Sequence, residues 1–224
     1  MQRYRWIIAG LLCLMGMGLR AVTRIVDING AGQYTSIQTA VTASSPGDTV
    51  LVYPGTYTEN IRIRGNTISL FSLEAITSDS SFIASTVIDG GLISSGLRVN
   101  ENVRNIKVRG FTITNCRVGI LLDRYSTSVI SNCVITGNQS VEGAGMIVFK
   151  CTTVLSGVRI FNNYAYKMAG GIYINGNMGD VNITFDQLNR CSIYNNTAGA
   201  GQDIVANSIN NDLSIPLEMF TVAN

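Results

Sequence analysis

The chain has 224 residues, enough for one domain or one array of repeats, and is 46% hydrophobic but only 13% charged. Charged residues make up about 25% of an ordinary globular chain, so polarity here must come from Thr, Ser and Asn. A formal net charge of +2 with no basic run argues against nucleic-acid binding, and the absence of His and of any Cys-x-x-Cys pair argues against a metal centre.

The first 21 residues read as a secretory signal. Arg3 and Arg5 precede the apolar run Trp6 to Leu19, which is short for a bilayer span, and Ala21 marks the expected cleavage point. Cys13 follows Leu12, which is not small, so a lipoprotein signal is disfavoured. Cleavage removes Arg3, Arg5 and Arg20 from 16 basic residues and leaves 14 acidic ones, a net charge near −1. The expectation is an exported bacterial protein, secreted or at the cell surface, with no membrane span after cleavage and residues 22–224 as one domain.

Val22, Ile25, Val26 and Ile28 predict a first strand, and Gly30-Ala31-Gly32 a turn. Ile37, Ala40 and Val41 have helical spacing, with Thr35 or Ser36 as N-cap and Pro46-Gly47 as the stop. This predicts a short helix over about 35–45 that caps the open end of a repeat array. Val50, Leu51, Val52, Ile61, Ile63, Ile68, Leu70 and Phe71 predict short strands. Residues 74–85 are polar and predict a protruding loop.

From about residue 86 to 205 the chain repeats. Gly110-Phe111-Thr112-Ile113-Thr114-Asn115-Cys116 returns as Asn132-Cys133-Val134-Ile135-Thr136-Gly137-Asn138, as Gly157-Val158-Arg159-Ile160-Phe161-Asn162-Asn163 and as Arg190-Cys191-Ser192-Ile193-Tyr194-Asn195-Asn196. The central Ile residues lie 22, 25 and 33 positions apart, and each copy is followed by a Gly and a second apolar run. A 20–50-residue period of short strands means stacked units that bury their apolar faces only against each other. Alternation turns Ile113, Ile135, Ile160 and Ile193 inward with Phe111, Cys133, Val158 and Cys191. Thr112, Val134, Arg159 and Ser192 then face out. Asn115, Asn138, Asn162 and Asn195 are expected to stack as a ladder of side-chain amides, with Gly137 as one residue of slack. Cys116, Cys133, Cys151 and Cys191 read as small buried hydrophobes. Loops at 137–145 and 162–171 swell one corner. Leu213, Ile215, Leu217 and Met219 alternate around Pro216 and predict an edge strand or cover over about 212–221.

The opening motif is Tyr34-x-x-Ile37-Gln38-x-Ala40-Val41, then Pro46-Gly47-Asp48-Thr49-Val50, then Pro54-Gly55-x-Tyr57-x-Glu59-Asn60. It resembles the start of pectin-lyase-like proteins. That resemblance implies an all-β fold, a right-handed parallel β-helix solenoid, to which the handedness rule for parallel crossovers also points. It implies little about activity. Family enzymes use carboxylates for ester hydrolysis, or a Lys or Arg base with Ca²⁺ or another neutralising group for elimination. Asn196-Thr197-Ala198-Gly199-x-x-Gln202 is similar to the oxyanion-holding segment of the methylesterases. The methylesterases also need two catalytic Asp residues and an Arg on later rungs, and after Gln202 this sequence has Asp203 and Asp212 as its sole Asp residues and no Arg.

Two functions remain open. One is a non-catalytic module, glycan-binding, adhesin-like or structural, monomeric, with Arg117, Asp123, Arg124 and Lys150 as candidate ligand contacts. The other is a lyase on an acidic polysaccharide, with Lys107, Arg109, Arg124 and Lys150 as candidate catalytic cations. No cofactor is expected, and Ca²⁺ enters only under the lyase reading. The carboxylates Asp89, Asp123, Glu142 and Asp180 have no calcium-site spacing.

Overall fold

The computed structural model describes residues 20–101, 103–176, 181–207 and 217–220. Nearly all of the expected signal segment, and Pro216 with most of segment 212–221, lie outside the described residues.

The described chain is mostly β. It is built from short strands that pair in parallel. Sheet I joins Thr23–Val26, Thr49–Val52, Ser69–Ser72, Ile106–Arg109, Thr127–Ser131, Thr152–Ser156 and Asn182–Phe185. Sheet II joins Gly55–Thr58, Thr86–Asp89, Thr112–Thr114, Val134–Thr136, Arg159–Phe161, Cys191–Tyr194 and Leu217–Phe220. Sheet III joins Ile61–Arg64, Ser95–Asn100, Val118–Leu122, Met146–Phe149, Ile172–Asn175 and Ile204–Asn207. From Thr49 the chain visits I, II and III in turn, and each new strand lies beside the strand of the previous pass. This arrangement is compatible with a parallel β-helix.

The core follows from side-chain alternation. In sheet II the register aligns Ile88, Ile113, Ile135, Ile160 and Ile193, all without solvent exposure. Phe111, Cys133, Val158 and Cys191 are buried beside them, whereas Thr112, Val134 and Ser192 are half-buried and Arg159 is exposed. Sheet III contributes Leu97, Ile120, Met146 and Ile172, and sheet I Leu70, Val108, Ile130 and Leu155. The four cysteines of the described chain are buried free thiols. Burial pushes the thiol pKa of Cys116 and Cys151 up to about 12 and that of Cys133 to about 11, and also raises Cys191, so all stay protonated at neutral pH.

The asparagine ladder includes Asn138 as expected, but takes Asn163 and Asn196 in place of Asn162 and Asn195, and the first copy, with Cys116 at that position, contributes no amide. Asn138 Nδ2 donates to Asn163 Oδ1 at 2.9 Å, Asn163 Nδ2 to Asn196 Oδ1 at 2.9 Å, and Asn196 Nδ2 to Asp203 Oδ1 at 2.8 Å. Each Oδ1 also accepts a backbone N–H from the preceding copy, at Cys116, Asn138 and Asn163. Asn115, Asn162 and Asn195 instead take left-handed backbone, with φ of 53°, 55° and 53°. Gly137 (φ 65°) is their counterpart in the second copy, not a residue of slack. Asp203 terminates the ladder well, because a carboxylate accepts and leaves no amide donor over.

Glycines beside the ladder keep the column tight. A Cβ on Gly119 would meet Ile135 Cγ2 at 2.5 Å and Gly145 O at 2.6 Å; one on Gly145 would meet Ile160 Cγ2 and Gly171 O, each at 2.6 Å. The recurrent Gly before the second apolar run is therefore a matter of space.

The expected helix forms over Ile37–Ala43, with Ser36 accepting from Thr39 N. The Glu59 carboxylate also accepts the N–H groups of Ile37 and Gln38 at 2.9 Å, which suits a negative charge at a helix N-terminus. The Gln38 amide bonds both Arg62 N (2.6 Å) and Arg62 O (3.3 Å), so a side chain occupies the outer edge of sheet III. Segment 74–85 is not a plain loop: it holds two short helices, Glu74–Thr77 and Ser81–Ser85, tied down by Thr112 Oγ1 donating to Ile83 O at 2.8 Å. Strand Leu217–Phe220 ends sheet II, beside Cys191–Tyr194.

Candidate functional site

The expected corner loops are strands. Gln139–Glu142, Tyr164–Met168 and Thr197–Ala200 form a small fourth sheet between sheets II and III. It forms only after the ladder begins, because the ladder residues Asn138, Asn163 and Asn196 each immediately precede one of its strands. Its outer face carries Gln139, Val141, Tyr164 and Tyr166, all exposed.

This sheet and the corner Leu92–Ser95 border an open groove of about 550 Å³ that Arg117 and Val118 also line. That size lies within the usual range of small-ligand sites, about 300–1,000 Å³. Tyr166 is 60% exposed, meets Tyr164 edge-on at 5.0 Å, and its hydroxyl accepts from Gln139 Nε2 at 2.8 Å. Gln139, Tyr166 and Arg117 thus line the groove together with the apolar Ile93 and Val141. Among the described residues Arg117 forms no ion pair.

Asp123, Arg124 and Lys150 meet at another corner, past the far ends of the sheet III strands. Arg98 Nη2 donates to Asp123 Oδ2 at 2.7 Å, and Arg124 Nε lies 3.8 Å from Asp123 Oδ1. Tyr125 N donates to Lys150 O at 2.6 Å, and Lys150 Nζ sits 5.8 Å from the Tyr125 ring centre. Arg124, Tyr125 and Lys150 all have positive φ, the left-handed backbone of a tight bend; Arg124 and Tyr125 are exposed and Lys150 is half-buried.

The two strand cations do not join either corner. Lys107 is exposed on sheet I, aligned with Ser69 and Val129. Arg109 is held from two nitrogens by Glu74, at 2.7 and 3.0 Å, and the same carboxylate accepts Asn132 Nδ2 at 2.7 Å. Burial would raise the Glu74 pKa, but the Arg109 and Asn132 hydrogen bonds outweigh it and hold the acid below its ordinary value. Hydrogen bonding to Glu74 raises Arg109 further, so Arg109 is a fixed structural cation and not a proton acceptor. Lys107, Arg109, Arg117 and the Arg124–Lys150 pair therefore occupy separate places.

Sequence reasoning missed Arg62, Arg64, Asn100 and Glu101. Arg62 aligns with Arg98, and Arg64 with Asn100. Glu101 Oε1 stands 3.7 Å from Arg62 Nη2 and 3.5 Å from Arg64 Nε. The available signal was the match of Ile-Arg-Ile-Arg at 61–64 with Leu-Arg-Val-Asn at 97–100.

No protein-family model matches the chain, and no curated protein matches it. Among the described residues no group of three or more Cys, Asp or Glu is placed to hold a metal ion, and no helix is long and apolar enough to cross a membrane.

Proposed function

We propose that the chain is an exported right-handed parallel β-helix of the pectin-lyase-like kind that binds a polysaccharide or cell-surface glycan without cleaving it. The groove between the small fourth sheet and the Leu92–Ser95 corner carries this reading. Its exposed tyrosine offers a ring face for the C–H face of a sugar, and Gln139 and Arg117 offer planar donors and an acceptor for neighbouring hydroxyls. The commitment of Arg109 to Glu74 removes one candidate base and favours binding over elimination.

The test is a glycan array probed with the purified protein. Retained glycans are then assayed for new reducing ends and for the ultraviolet absorbance of unsaturated products. Retention without product is expected, and Tyr166→Ala and Arg117→Ala should each weaken it at least tenfold. Accumulating unsaturated product would establish a lyase instead, with the Arg124–Lys150 corner as its place. Retention by neither groove variant nor wild type would dismiss the groove.

A further inference from the structure

Among the described residues eight buried side-chain atoms have no hydrogen-bond partner; Arg24 Nε, Thr86 Oγ1 and Ser126 Oγ are three of them, and the other five gather on sheet III. Arg62 Nε, Arg98 Nε, both amide atoms of Asn100 and Asp123 Oδ1 are buried atoms without a hydrogen-bond partner among the described residues. All lie on the outer face of the first three strands of sheet III or immediately beyond it. Asn100 is fully buried and aligned with Arg64 on one side, and Asp123 N donates to Val99 O on the other. Buried polar groups are nearly always paired, and a cluster that is not demands a reason.

The nearby charges supply one. Arg62, Arg64, Arg98 and Arg124 surround only two carboxylates, Glu101 and Asp123. Asp123 is held tightly by Arg98, at 2.7 Å. Glu101 is not held tightly: one oxygen serves two guanidinium groups at 3.5 and 3.7 Å, beyond the usual 2.7–3.2 Å of an N–H···O bond, and its side chain is 40% exposed. Exposed pairs of that length contribute little and exchange readily. Glu101 stands where an external anion would stand.

We propose that this face is a binding site for a carboxylate or sulfate ester carried on a hydroxyl-rich molecule, with Glu101 as the internal occupant that the ligand displaces. The guanidinium groups of Arg62 and Arg64 swing off Glu101 onto the anion, in the two-nitrogen geometry that suits carboxylate and sulfate oxygens. Their movement uncovers Asn100. Its Nδ2 then donates to the anion or a hydroxyl oxygen, and its Oδ1 and Asp123 Oδ1 accept from hydroxyl groups. A free inorganic anion uses only the donors; a polyhydroxylated one uses both kinds of unused atom. The site stands on its own geometry, whether or not the groove takes a sugar.

Three polymers with one backbone test this by calorimetry: dextran, carboxymethyl-dextran and dextran sulfate. The wild type is expected to bind at least one charged polymer tenfold or more tightly than dextran, and the better of the two assigns the anion. Arg62→Gln should lose at least tenfold in affinity. Glu101→Gln should gain several-fold, whereas Asp79→Asn, the same charge change on a remote exposed loop, should gain nothing. Asn100→Ala should lose affinity while leaving the melting temperature unchanged or raised, because an unpartnered buried amide stabilises nothing. Equal binding of all three polymers, equal gains from Glu101→Gln and Asp79→Asn, or an Asn100→Ala variant that melts lower and binds normally would each overturn the proposal.

Discussion

Replacing Asn163 by Ala tests the ladder at its centre. The side chain makes five hydrogen-bond contacts: Oδ1 accepts Asn138 N and Nδ2, and the two N–H groups of Nδ2 are divided among Ile135 O, Phe161 O and Asn196 Oδ1, one of them shared. Truncation leaves the buried Asn138 N–H without an acceptor, which costs about 1–3 kcal/mol. Asn138 Nδ2 keeps its bond to Ile113 O, and Asn196 Oδ1 keeps its bond from Asn163 N, so those groups are half-satisfied. Losing the remaining bonds adds roughly 0.5–1.5 kcal/mol for each group affected. The total is about 3–5 kcal/mol, a large part of the 5–15 kcal/mol that holds an ordinary domain. Asn162→Gly is the matched control. Asn162 is exposed with φ of 55°, a conformation Gly adopts freely, so the change should stay within about 1 kcal/mol. Urea unfolding followed by circular dichroism reads both, with a shifted midpoint at unchanged slope reporting stability. If Asn162→Gly proves the costlier substitution, the ladder runs through the other asparagines and the register given above is wrong.

Ile135→Ala and Ile160→Ala should each cost about 2–5 kcal/mol in the same assay, as large-to-small changes in a closed core do. Thr112→Ala should cost about 1 kcal/mol, the net worth of the hydrogen bond to Ile83 O, and should expose segment 74–85 to proteolysis first. Gly145→Ala should cost at least about 1–3 kcal/mol, since one atom in the way is the backbone oxygen of Gly171, and a neutral result would mean the column is looser than drawn. Glu74 gives a pH signature. Its folded-state pKa is lowered, so its stabilisation is complete above the unfolded carboxylate value of about 4.3 and is lost as pH falls through the folded-state value. Glu74→Gln should lower stability at neutral pH and flatten that acid limb, and an unchanged limb would show that the carboxylate is not titrating there.

The parts of the fold that repeat were legible because repetition turns a weak local pattern into a strong one. The central Ile column, the inward Cys positions and the helix capped at Thr35 or Ser36 all followed from spacing, and the structure assigns the cap to Ser36. The ladder was misplaced because Asn fills two neighbouring roles in the third and fourth copies. It takes left-handed backbone at 115, 162 and 195, and it stacks amides at 138, 163 and 196. The second copy separates the roles, since Gly can only be the backbone residue, and Gly137 therefore identifies Asn138 as the stacking one. The helices inside 74–85 were hidden because each is barely one turn long and is held by contacts from elsewhere, such as Arg109 on Glu74 and Thr112 on Ile83.

The sites were less legible, for a reason that lies in parallel stacking. Residues that meet across a sheet come from strands 20 to 38 positions apart, and the spacing varies because each pass inserts a different number of corner residues. A cation on one strand therefore looks like an ordinary solvated charge until its register is known. Arg124 and Lys150 were paired from sequence because they follow equivalent apolar runs in two regular copies. Arg62 and Arg98 were not, because the first belongs to the irregular opening, before the repeat is established. Register alone brings Arg62 to Arg98 and Arg64 to Asn100, and only the unused bonds of Asn100 distinguish that face from a solvated edge. A charged column on a parallel sheet should then be read for function where its buried neighbours are unsatisfied, and as surface where, as with Arg109 and Glu74, the partners already close on each other.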